Sequence, residues 1–243
     1  MNTRQQPVLI AAGGTGGHMF PAVSLASALS ARGHSILFVT DPRGGLVTSD
    51  VLGLPKTVMR HTISARSLGG GPKGMAAGVK ALAKGFFESR RLIREYKPSI
   101  AVGFGGYPSV PPILAAGFAG LPTVIHEQNA VLGRANRRLA RGAKAFALSF
   151  AQTQRLKSAG HARATVVGNP VRQDIAALAA RPYTPPSGVI DLLIVGGSQG
   201  AQVFSKIAPA AFKPLTAPQR ARFRLAQQCR AEDIDEVRAV YAA

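Results

Sequence analysis

Short runs of apolar residues alternate along the chain with stretches in which apolar residues recur every three or four positions. The short runs are typical of parallel strands buried on both faces, and the wider spacing is typical of helices. Strands are predicted at residues 7–12, 35–40, 56–63, 99–104, 122–126, 143–148 and 164–167. Helices are predicted at residues 22–32, 75–96, 110–119 and 130–141. This alternation predicts an α/β fold with helices on both faces of a parallel sheet.

A proline-rich segment, residues 180–188, interrupts this pattern and is typical of a linker. The pattern then restarts with strands at 189–195 and 223–228 and helices at 201–212 and 232–240. The restart predicts two Rossmann-like domains facing a cleft, the first at 1–168 and the second at 189–243, joined by a linker at 169–188. Because two strand–helix pairs cannot complete a doubly wound sheet, we expect the second domain to be incomplete in this chain.

The amino-acid composition indicates which kinds of molecule the protein could bind. The net charge is +19, from 30 Lys and Arg against 11 Asp and Glu. Such an excess indicates nucleic acid, anionic lipid or a phosphorylated substrate, unless it is only a solvated basic face. One cysteine, Cys229, excludes a disulfide framework and favours a reducing compartment. The uncharged stretch 98–125 is broken by several prolines and glycines, which excludes a spanning helix there.

The first candidate site is the glycine loop at 13–17, followed by His18. Glycines between a strand and a helix let backbone N–H groups approach an anion, and the helix N-terminus favours negative charge. His18 is a candidate general base, with orientation of the loop as the alternative role. Met19 stands where a dinucleotide fingerprint needs its third glycine. Asp41, near the end of the second strand, nevertheless leaves a dinucleotide-binding protein open.

Four further polar clusters follow predicted strands, at the edge where ligands of open α/β sheets bind. They are 105–109, 126–129, 168–172 and 196–201. The cleft candidates among them are Tyr107, Glu127, Gln128, Gln199 and Gly200, together with Gly14 of the first loop. Arg172 could clamp a phosphate or form a salt bridge in the linker, and Tyr107 could equally be a packed core residue. Adjacent residues on an extended segment point apart, so His126 and Glu127 do not predict a metal site.

The predicted helix at 75–96 is amphipathic and basic. Its apolar members include Met75, Val79, Leu82 and Phe86, and the lysines around them include Lys80 and Lys84. Such a helix suits an anionic membrane surface. The alternative is a helix packed on the core with a solvated charged face.

Five motifs, GGTGGH, GFGGYPS, HEQN, GNPVR and GGSQGA, occur in this order. Together they closely resemble the MurG family, the transferases that use UDP-N-acetylglucosamine to convert lipid I to lipid II in peptidoglycan synthesis. The resemblance runs from Val8 to about Tyr241. It implies a GT-B fold, with the lipid acceptor on the N-terminal domain and the UDP-sugar on the C-terminal one.

The resemblance also assigns roles. It implies that His18 is the general base and that the membrane patch lies within 75–86. The positions matching UDP-N-acetylglucosamine contacts are Thr15, Gly16, Gly17, Asn129, Arg172 and Ser198. It implies inverting transfer without a cofactor or metal, lipid I and an anionic membrane rather than nucleic acid as partners, and peripheral attachment to the cytoplasmic face of the bacterial inner membrane.

Family members are longer than this sequence, so the resemblance implies that part of the uridine pocket is absent. We therefore expect the 243-residue chain to be poorly soluble, to bind the donor weakly and to transfer negligibly. The alternatives are an inactive truncated remnant and a nucleotide- or dinucleotide-binding protein without transferase activity.

Overall fold

The computed structural model describes residues 6–13, 16–44, 54–196 and 202–242. The chain divides into two compact units, with the boundary between Ala179 and Ala180. This boundary falls within the predicted linker 169–188. The structure places a short helix, Gln173–Leu178, inside the same range and within the first unit.

The first unit is built on a seven-stranded sheet in which every pairing is parallel. The strands are β1 (Val8–Ala11), β2 (Ile36–Thr40), β3 (Met59–Thr62), β4 (Ile100–Gly103), β5 (Thr123–Glu127), β6 (Ala145–Leu148) and β7 (Ala164–Val166). Their spatial order is β3-β2-β1-β4-β5-β6-β7. The chain therefore reverses its direction of winding between β1 and β4, which is where open α/β sheets form a crevice.

Helices cover both faces of this sheet. They are α1 (Gly16–Ala31), α2 (Gly71–Tyr96), α3 (Val110–Phe118), α4 (Arg134–Leu139), α5 (Ser158–His161) and α6 (Gln173–Leu178), with a 3-10 turn at Tyr107–Ser109. Successive strand residues point to opposite faces. Accordingly, Leu9 packs in the core cluster shared by α2, α3 and α4, whereas Ile10 packs in the cluster of α1. The predicted α/β class is confirmed.

Three helices of the first unit differ at their ends from the sequence prediction. Helix α1 begins at Gly16 rather than at residue 22, α2 begins at Gly71 rather than at residue 75, and α4 covers only Arg134–Leu139 rather than 130–141. The shortening of α4 has a local cause. Glu127 accepts hydrogen bonds from the backbone N–H groups of Asn129 and Gly133, which shapes residues 129–133 as a turn.

Helix α2 lies unusually close to the segment that precedes it. A Cβ on Gly78 would come within 2.6 Å of the Ser67 carbonyl oxygen, and one on Gly85 would strike the Ser64 carbonyl oxygen. Glu88 then fixes this segment by accepting from the backbone N–H and the hydroxyl of Ser64. No helix within the described ranges combines the length and apolar character that a membrane crossing requires.

The second unit contains a parallel pair of strands, β8 (Ile190–Ile194) and β9 (Phe223–Gln227). Its helices are α7 (Gln202–Phe212), α8 (Ala217–Arg220) and α9 (Ile234–Ala242), with a 3-10 turn at Ala231–Asp233. The Phe212 ring packs edge-on against Phe223 and Tyr241. The strand–helix repeat predicted after the proline-rich segment is present, and α8 is a short addition to it.

Candidate functional site

The carboxyl ends of β1, β4 and β5 meet at the sheet edge beside the reversal of winding, and the loops there pack backbone to backbone. Gly106 has φ 72° and ψ 158°, a conformation that only glycine adopts readily. A Cβ on Gly106 would lie 2.5 Å from the Gly13 carbonyl oxygen, and a Cβ on Gly13 would lie 2.6 Å from the Pro108 side chain. The two glycine motifs, distant in sequence, therefore interlock.

His18 lies in the first turn of α1 and faces this edge. Its Nδ1 is 2.9 Å from the Phe104 carbonyl oxygen and 3.3 Å from Oε1 of Gln128. Gln128 in turn donates from Nε2 to the same carbonyl at 2.9 Å. Because both oxygens accept hydrogen bonds, Nδ1 carries the proton, and Nε2 of the neutral ring keeps its lone pair. The arrangement is competent to accept a proton at Nε2.

His18 lines a cavity of about 800 Å³ in the first unit. This volume is in the usual range for small-molecule sites. The lining residues are His18, Ser67, Leu68, Gly69, Met75, Leu82, Gly105, Gly106, Tyr107, Val110, Glu127, Gly133, Arg134, Ala135, Asn136 and Arg138. Leu68, Met75 and Leu82 make part of the wall apolar, whereas Arg134 and Arg138 bring positive charge. The lining thus suits a ligand that combines apolar and anionic parts.

Glu127 organises the loop beneath this cavity. The sequence places the polar cluster 126–129 beyond a strand that ends at His126, but β5 runs to Glu127, which is only 1% exposed. Oε1 accepts from the backbone and side-chain amides of Asn129 at 3.1 and 3.0 Å. Oε2 accepts from the backbone N–H of Gly133 at 2.9 Å and from Nδ2 of Asn136 at 2.8 Å. Both oxygens of the carboxylate therefore accept two hydrogen bonds each from groups of the protein.

Asn136 is a site residue that sequence reasoning missed. It is buried in α4, and its Nδ2 also reaches the backbone oxygen of His126 at 3.1 Å. The available signal was an isolated asparagine within an arginine-rich helix. Asn129, by contrast, is exposed apart from its bonds to Glu127.

His126 is also buried rather than beyond the strand. Its ring stacks on Phe104 at 4.9 Å, and its Nε2 donates to the Gly168 carbonyl oxygen at 3.2 Å. Burial lowers the pKa of His126, although the bond to Gly168 and the charge of Glu127 act in the opposite direction. The neutral ring therefore joins β5 to the 168–172 motif.

Asp41 is not available to a ribose. It is 1% exposed, and it accepts from the Tyr107 hydroxyl at 3.1 Å, from Nε of Arg43 at 3.1 Å and from the backbone N–H of Gly44 at 3.2 Å. The Arg43 guanidinium also lies over the Tyr107 ring, 5.3 Å from its centroid. Tyr107 thus lines the cavity while its hydroxyl is held by Asp41, and the feature that kept a dinucleotide site open has another role.

Arg172 contacts helix α1. Its guanidinium lies 5.1 Å from the centroid of the Phe20 ring, and its Nε is 3.4 Å from Oδ1 of Asp174. The linker salt bridge considered from the sequence is therefore present. Exposed pairs of this kind are weak, so Arg172 can exchange Asp174 for a phosphate at small cost.

Several predicted site residues cannot be placed in this geometry. Gly14, Thr15, Ser198, Gln199 and Gly200 lie outside the described residues. Gly16 and Gly17 open helix α1. Among the residues that the structure does describe, no three His, Cys, Asp or Glu side chains are grouped as metal ligands.

The predicted membrane patch is partly reassigned. Met75, Val79, Lys80 and Lys84 are exposed on α2, as expected for a surface patch. Leu82 and Phe86 are only partly exposed, and Phe86 packs against the core, so neither belongs to the exposed face, whereas Met75 is 55% exposed and also borders the cavity. Phe87 and Phe118, which are 69% and 74% exposed, pack edge-on against Phe86 instead. We call Met75, Val79, Phe87 and Phe118, with Lys80 and Lys84, the apolar-basic face.

Comparison with known proteins places this geometry in a family. The model of the glycosyltransferase family 28 N-terminal domain matches residues 8–148. The chain is 49% identical, over 98% of its length, to a protein of Granulibacter bethesdensis named UDP-N-acetylglucosamine--N-acetylmuramyl-(pentapeptide) pyrophosphoryl-undecaprenol N-acetylglucosamine transferase. A protein of the same name from Rhodospirillum centenum is 47% identical over 98% of the chain.

A solved structure of a similar protein supports the same family. The crystal structure of MurG from Acinetobacter baumannii superposes with a TM-score of 0.69 at 28% identity, covering 98% of this chain and 62% of that one. The chain spans 62% of the length of each of the two curated relatives. The resemblance carried by the five motifs and the predicted GT-B class of α/β fold are confirmed.

Proposed function

The chain belongs to glycosyltransferase family 28, and on that premise we propose that it serves the transfer of N-acetylglucosamine from UDP-N-acetylglucosamine to lipid I, forming lipid II. The observation that carries the proposal is the setting of His18. Its Nδ1 is held by the Phe104 carbonyl, and the ring lines a cavity at the sheet edge. The names of the relatives supply the donor and acceptor.

The proposed reaction is a single displacement. Nε2 of His18 takes the proton of the acceptor hydroxyl while the hydroxyl oxygen bonds to the anomeric carbon of the donor. The bond from that carbon to the diphosphate oxygen breaks, UDP leaves with the bonding electrons, and the configuration inverts. On the resemblance, the charge of UDP is met by Arg172 and by the second glycine loop, which includes Ser198, Gln199 and Gly200.

The remaining site residues are assigned to positioning. Gln128 holds His18 through Nδ1 and the shared Phe104 carbonyl. The loop with Gly14, Thr15, Gly16 and Gly17 approaches a diphosphate through backbone N–H groups. Arg134 and Arg138 supply positive charge beside the apolar part of the cavity wall, which suits a lipid-linked diphosphate. Asn129 is assigned to contact with UDP-N-acetylglucosamine, as the resemblance implies.

The acceptor is anchored in a bilayer, so the protein must work at its surface. We assign contact with the membrane to the apolar-basic face. Exposed aromatic and aliphatic side chains insert at the interface, and the lysines beside them attract anionic lipid. On the resemblance, the location is peripheral, at the cytoplasmic face of the bacterial inner membrane.

A nucleotide- or dinucleotide-binding protein without transferase activity is the competing function. The engagement of Asp41 by Tyr107, Arg43 and Gly44 speaks against the dinucleotide form of it. Transfer assays distinguish a nucleotide-binding protein without transferase activity from the proposed transferase.

The test measures transfer of labelled N-acetylglucosamine to a lipid I analogue. It uses the 243-residue chain and a chimera in which residues 6–179 of this chain replace the matching residues of the Granulibacter bethesdensis relative. We expect transfer by the chimera, in which the relative supplies the part of the protein that follows residue 179, and the 243-residue chain is measured beside it. A folded chimera that binds UDP-N-acetylglucosamine but never transfers it would refute the proposed function.

A further inference from the structure

A second cavity of the first unit is rimmed by positive charge. It measures about 640 Å³ and lies among α4, α5 and the segment before α5. Six cationic side chains line it: Arg137, Arg138, Arg141, Arg155, Lys157 and Arg163. From Gln128 to Gln173 the sequence has nine lysines and arginines and no aspartate or glutamate. We call this cavity the basic pocket.

One of these cations has a structural role. Nε of Arg163 donates to the Ala159 carbonyl oxygen at 3.0 Å, and another guanidinium nitrogen donates to the Ala143 carbonyl. The same guanidinium lies 5.6 Å from the centroid of the Phe146 ring. Arg163 therefore ties α5 to β6 and helps to form the pocket wall.

Three other cations of the pocket differ from Arg163 in this respect. Among the described residues, no carboxylate or carbonyl pairs with the side chains of Arg141, Arg155 and Lys157, which are exposed. Like charges gathered at one concave surface repel one another and focus a positive potential into it. An anion seated in the pocket relieves this repulsion.

The pocket is built on a firm framework. Its floor includes buried Leu132 and Leu156, and the backbone N–H of Leu132 donates to the Gln154 carbonyl oxygen at 3.0 Å. Gln154 donates in turn to the Ala130 carbonyl oxygen at 2.8 Å. Arg155 is held at φ 63°, a left-handed conformation that costs free energy in a non-glycine residue. These contacts fix the backbone that carries the rim cations Arg155 and Lys157.

We propose that the basic pocket binds a phosphate-bearing anion, at a second site that shares only Arg138 with the lining of the His18 cavity. Guanidinium groups match phosphate oxygens with paired hydrogen bonds, and a lysine adds a point charge. The apolar floor suits the carbon portion of a phosphate ester. The anion has two possible sources, a phospholipid headgroup and a free phosphate or diphosphate.

The position of the basic pocket is compatible with binding a phospholipid headgroup. Helices α2, α3 and α4 pack against one core cluster and so lie on the same face of the seven-stranded sheet. The apolar-basic face belongs to α2 and α3, and the basic pocket to α4 and α5. Both surfaces are therefore on one side of the first unit.

The test compares two triple variants of the 243-residue chain. The pocket variant is Arg141→Gln, Arg155→Gln and Lys157→Gln, three exposed residues that do not line the His18 cavity. The matched control is Arg32→Gln, Lys56→Gln and Lys206→Gln, which removes the same charge from exposed positions elsewhere. Thermal unfolding of both variants checks that neither change disturbs the fold.

The probes are inorganic pyrophosphate, followed by calorimetry, and phosphatidylcholine vesicles with or without phosphatidylglycerol, followed by sedimentation. We expect the pocket variant to bind at least one of the two anionic probes about tenfold more weakly than the wild type, since it loses charge-assisted contacts. We expect the affinity of the control variant for these probes to change by less than about twofold, because charges far from the bound anion are largely screened.

The pattern of loss identifies the source. Weaker pyrophosphate binding in the pocket variant alone supports a free phosphate ligand, and weaker binding to phosphatidylglycerol vesicles alone supports a lipid headgroup. Equal losses in both variants would mean that net charge, rather than this pocket, attracts the anion. That result, or a wild-type chain that binds neither probe, would overturn the proposal. None of these readouts depends on transferase activity.

Discussion

The Nδ1 atom of His18 lies 2.9 Å from the carbonyl oxygen of Phe104, a residue 86 positions away in the sequence. This bond places a proton on Nδ1, so that in the neutral ring the lone pair is on Nε2. It exists because glycines at 13 and 106 let the loops that follow β1 and β4 touch. The candidate base is therefore oriented by packing between loops.

Replacing His18 tests its role as the base. In the chimera described above, His18→Ala should lower kcat by about 10²–10⁴, the usual contribution of general base catalysis, and leave the KM for the donor nearly unchanged. Steady-state transfer kinetics give both values. Ser24→Ala, a change at a partly exposed position on the same helix, should leave both unaltered. An unchanged kcat in His18→Ala would remove His18 from the chemistry.

Gly106→Ala tests the interlocked loops. The new Cβ would lie 2.5 Å from the Gly13 carbonyl oxygen, at a φ of 72°. Backbone strain of this kind costs about 1–3 kcal/mol, so we expect a lower free energy of unfolding and loss of transfer in the chimera. Gly117→Ala is the control. Its Cβ meets nothing within 4 Å in helix α3, so it should be neutral or slightly stabilising. Equal unfolding midpoints in urea for the two variants would contradict this account.

Glu127→Gln tests the buried carboxylate. The amide nitrogen of glutamine would face N–H donors from Asn129, Gly133 or Asn136, which now have carboxylate oxygens as acceptors. We expect the free energy of unfolding to fall by about 2–4 kcal/mol, because buried donors are left without acceptors. Glu95→Gln, on the exposed face of α2, should change it little. Urea denaturation of each variant provides the comparison, and a tolerated Glu127→Gln would show that these bonds matter less than their geometry implies.

The lowered pKa of His126 predicts a pH dependence of stability. Below the unfolded pKa of about 6.5, the unfolded chain gains a proton at this position while the folded chain stays neutral down to its lower pKa. The unfolded state therefore binds more protons in that window, and the free energy of unfolding falls as the pH falls. One proton contributes at most about 1.4 kcal/mol per pH unit.

The variant His126→Gln removes this titration. Its free energy of unfolding, measured in urea between neutral and mildly acidic pH, should depend less on pH than that of the wild type. Glutamine can still donate to the Gly168 carbonyl, which limits other changes. Parallel pH profiles for the two proteins would mean that His126 does not contribute to the acid sensitivity.

The apolar-basic face predicts two separable contributions to membrane binding. Phe87→Ser with Phe118→Ser should weaken binding to anionic vesicles through lost apolar insertion, with little change in its salt dependence. Lys80→Glu with Lys84→Glu should weaken it by about 1 kcal/mol per residue if both lysines reach the surface, and should reduce the effect of added salt. Phe150→Ser, another exposed aromatic residue, serves as the control. Binding that ignores both pairs of changes would assign α2 to the core alone.

Sequence reasoning located most elements because their signals are local. The strands and the main helices were predicted within a few residues, except at the starts of α1 and α2 and at the ends of α4. Apolar runs specify buried strands wherever those strands stand in the sheet, and glycines between a strand and a helix mark the loops that bind anions. His18 could be singled out in this way, since its position directly after a glycine loop is a property of neighbouring residues.

The partners of each polar side chain were decided by the tertiary structure. Asp41 could be expected at a strand end, but its capture by Tyr107 requires β2 and the loop after β4 to lie side by side. Glu127 could be expected at the end of a strand, and it lines the cavity of His18. Its burial and its hydrogen bonds to Asn129 and Asn136, however, depend on how the segment after β5 folds around it. Phe86 and Phe87 are adjacent in the sequence, yet only the crossing of α2 over α3 determines which ring is exposed. The burial and the partners of a polar side chain depend on strand order and on contacts between helices that are distant in the sequence. Apolar periodicity reveals neither the strand order nor those contacts.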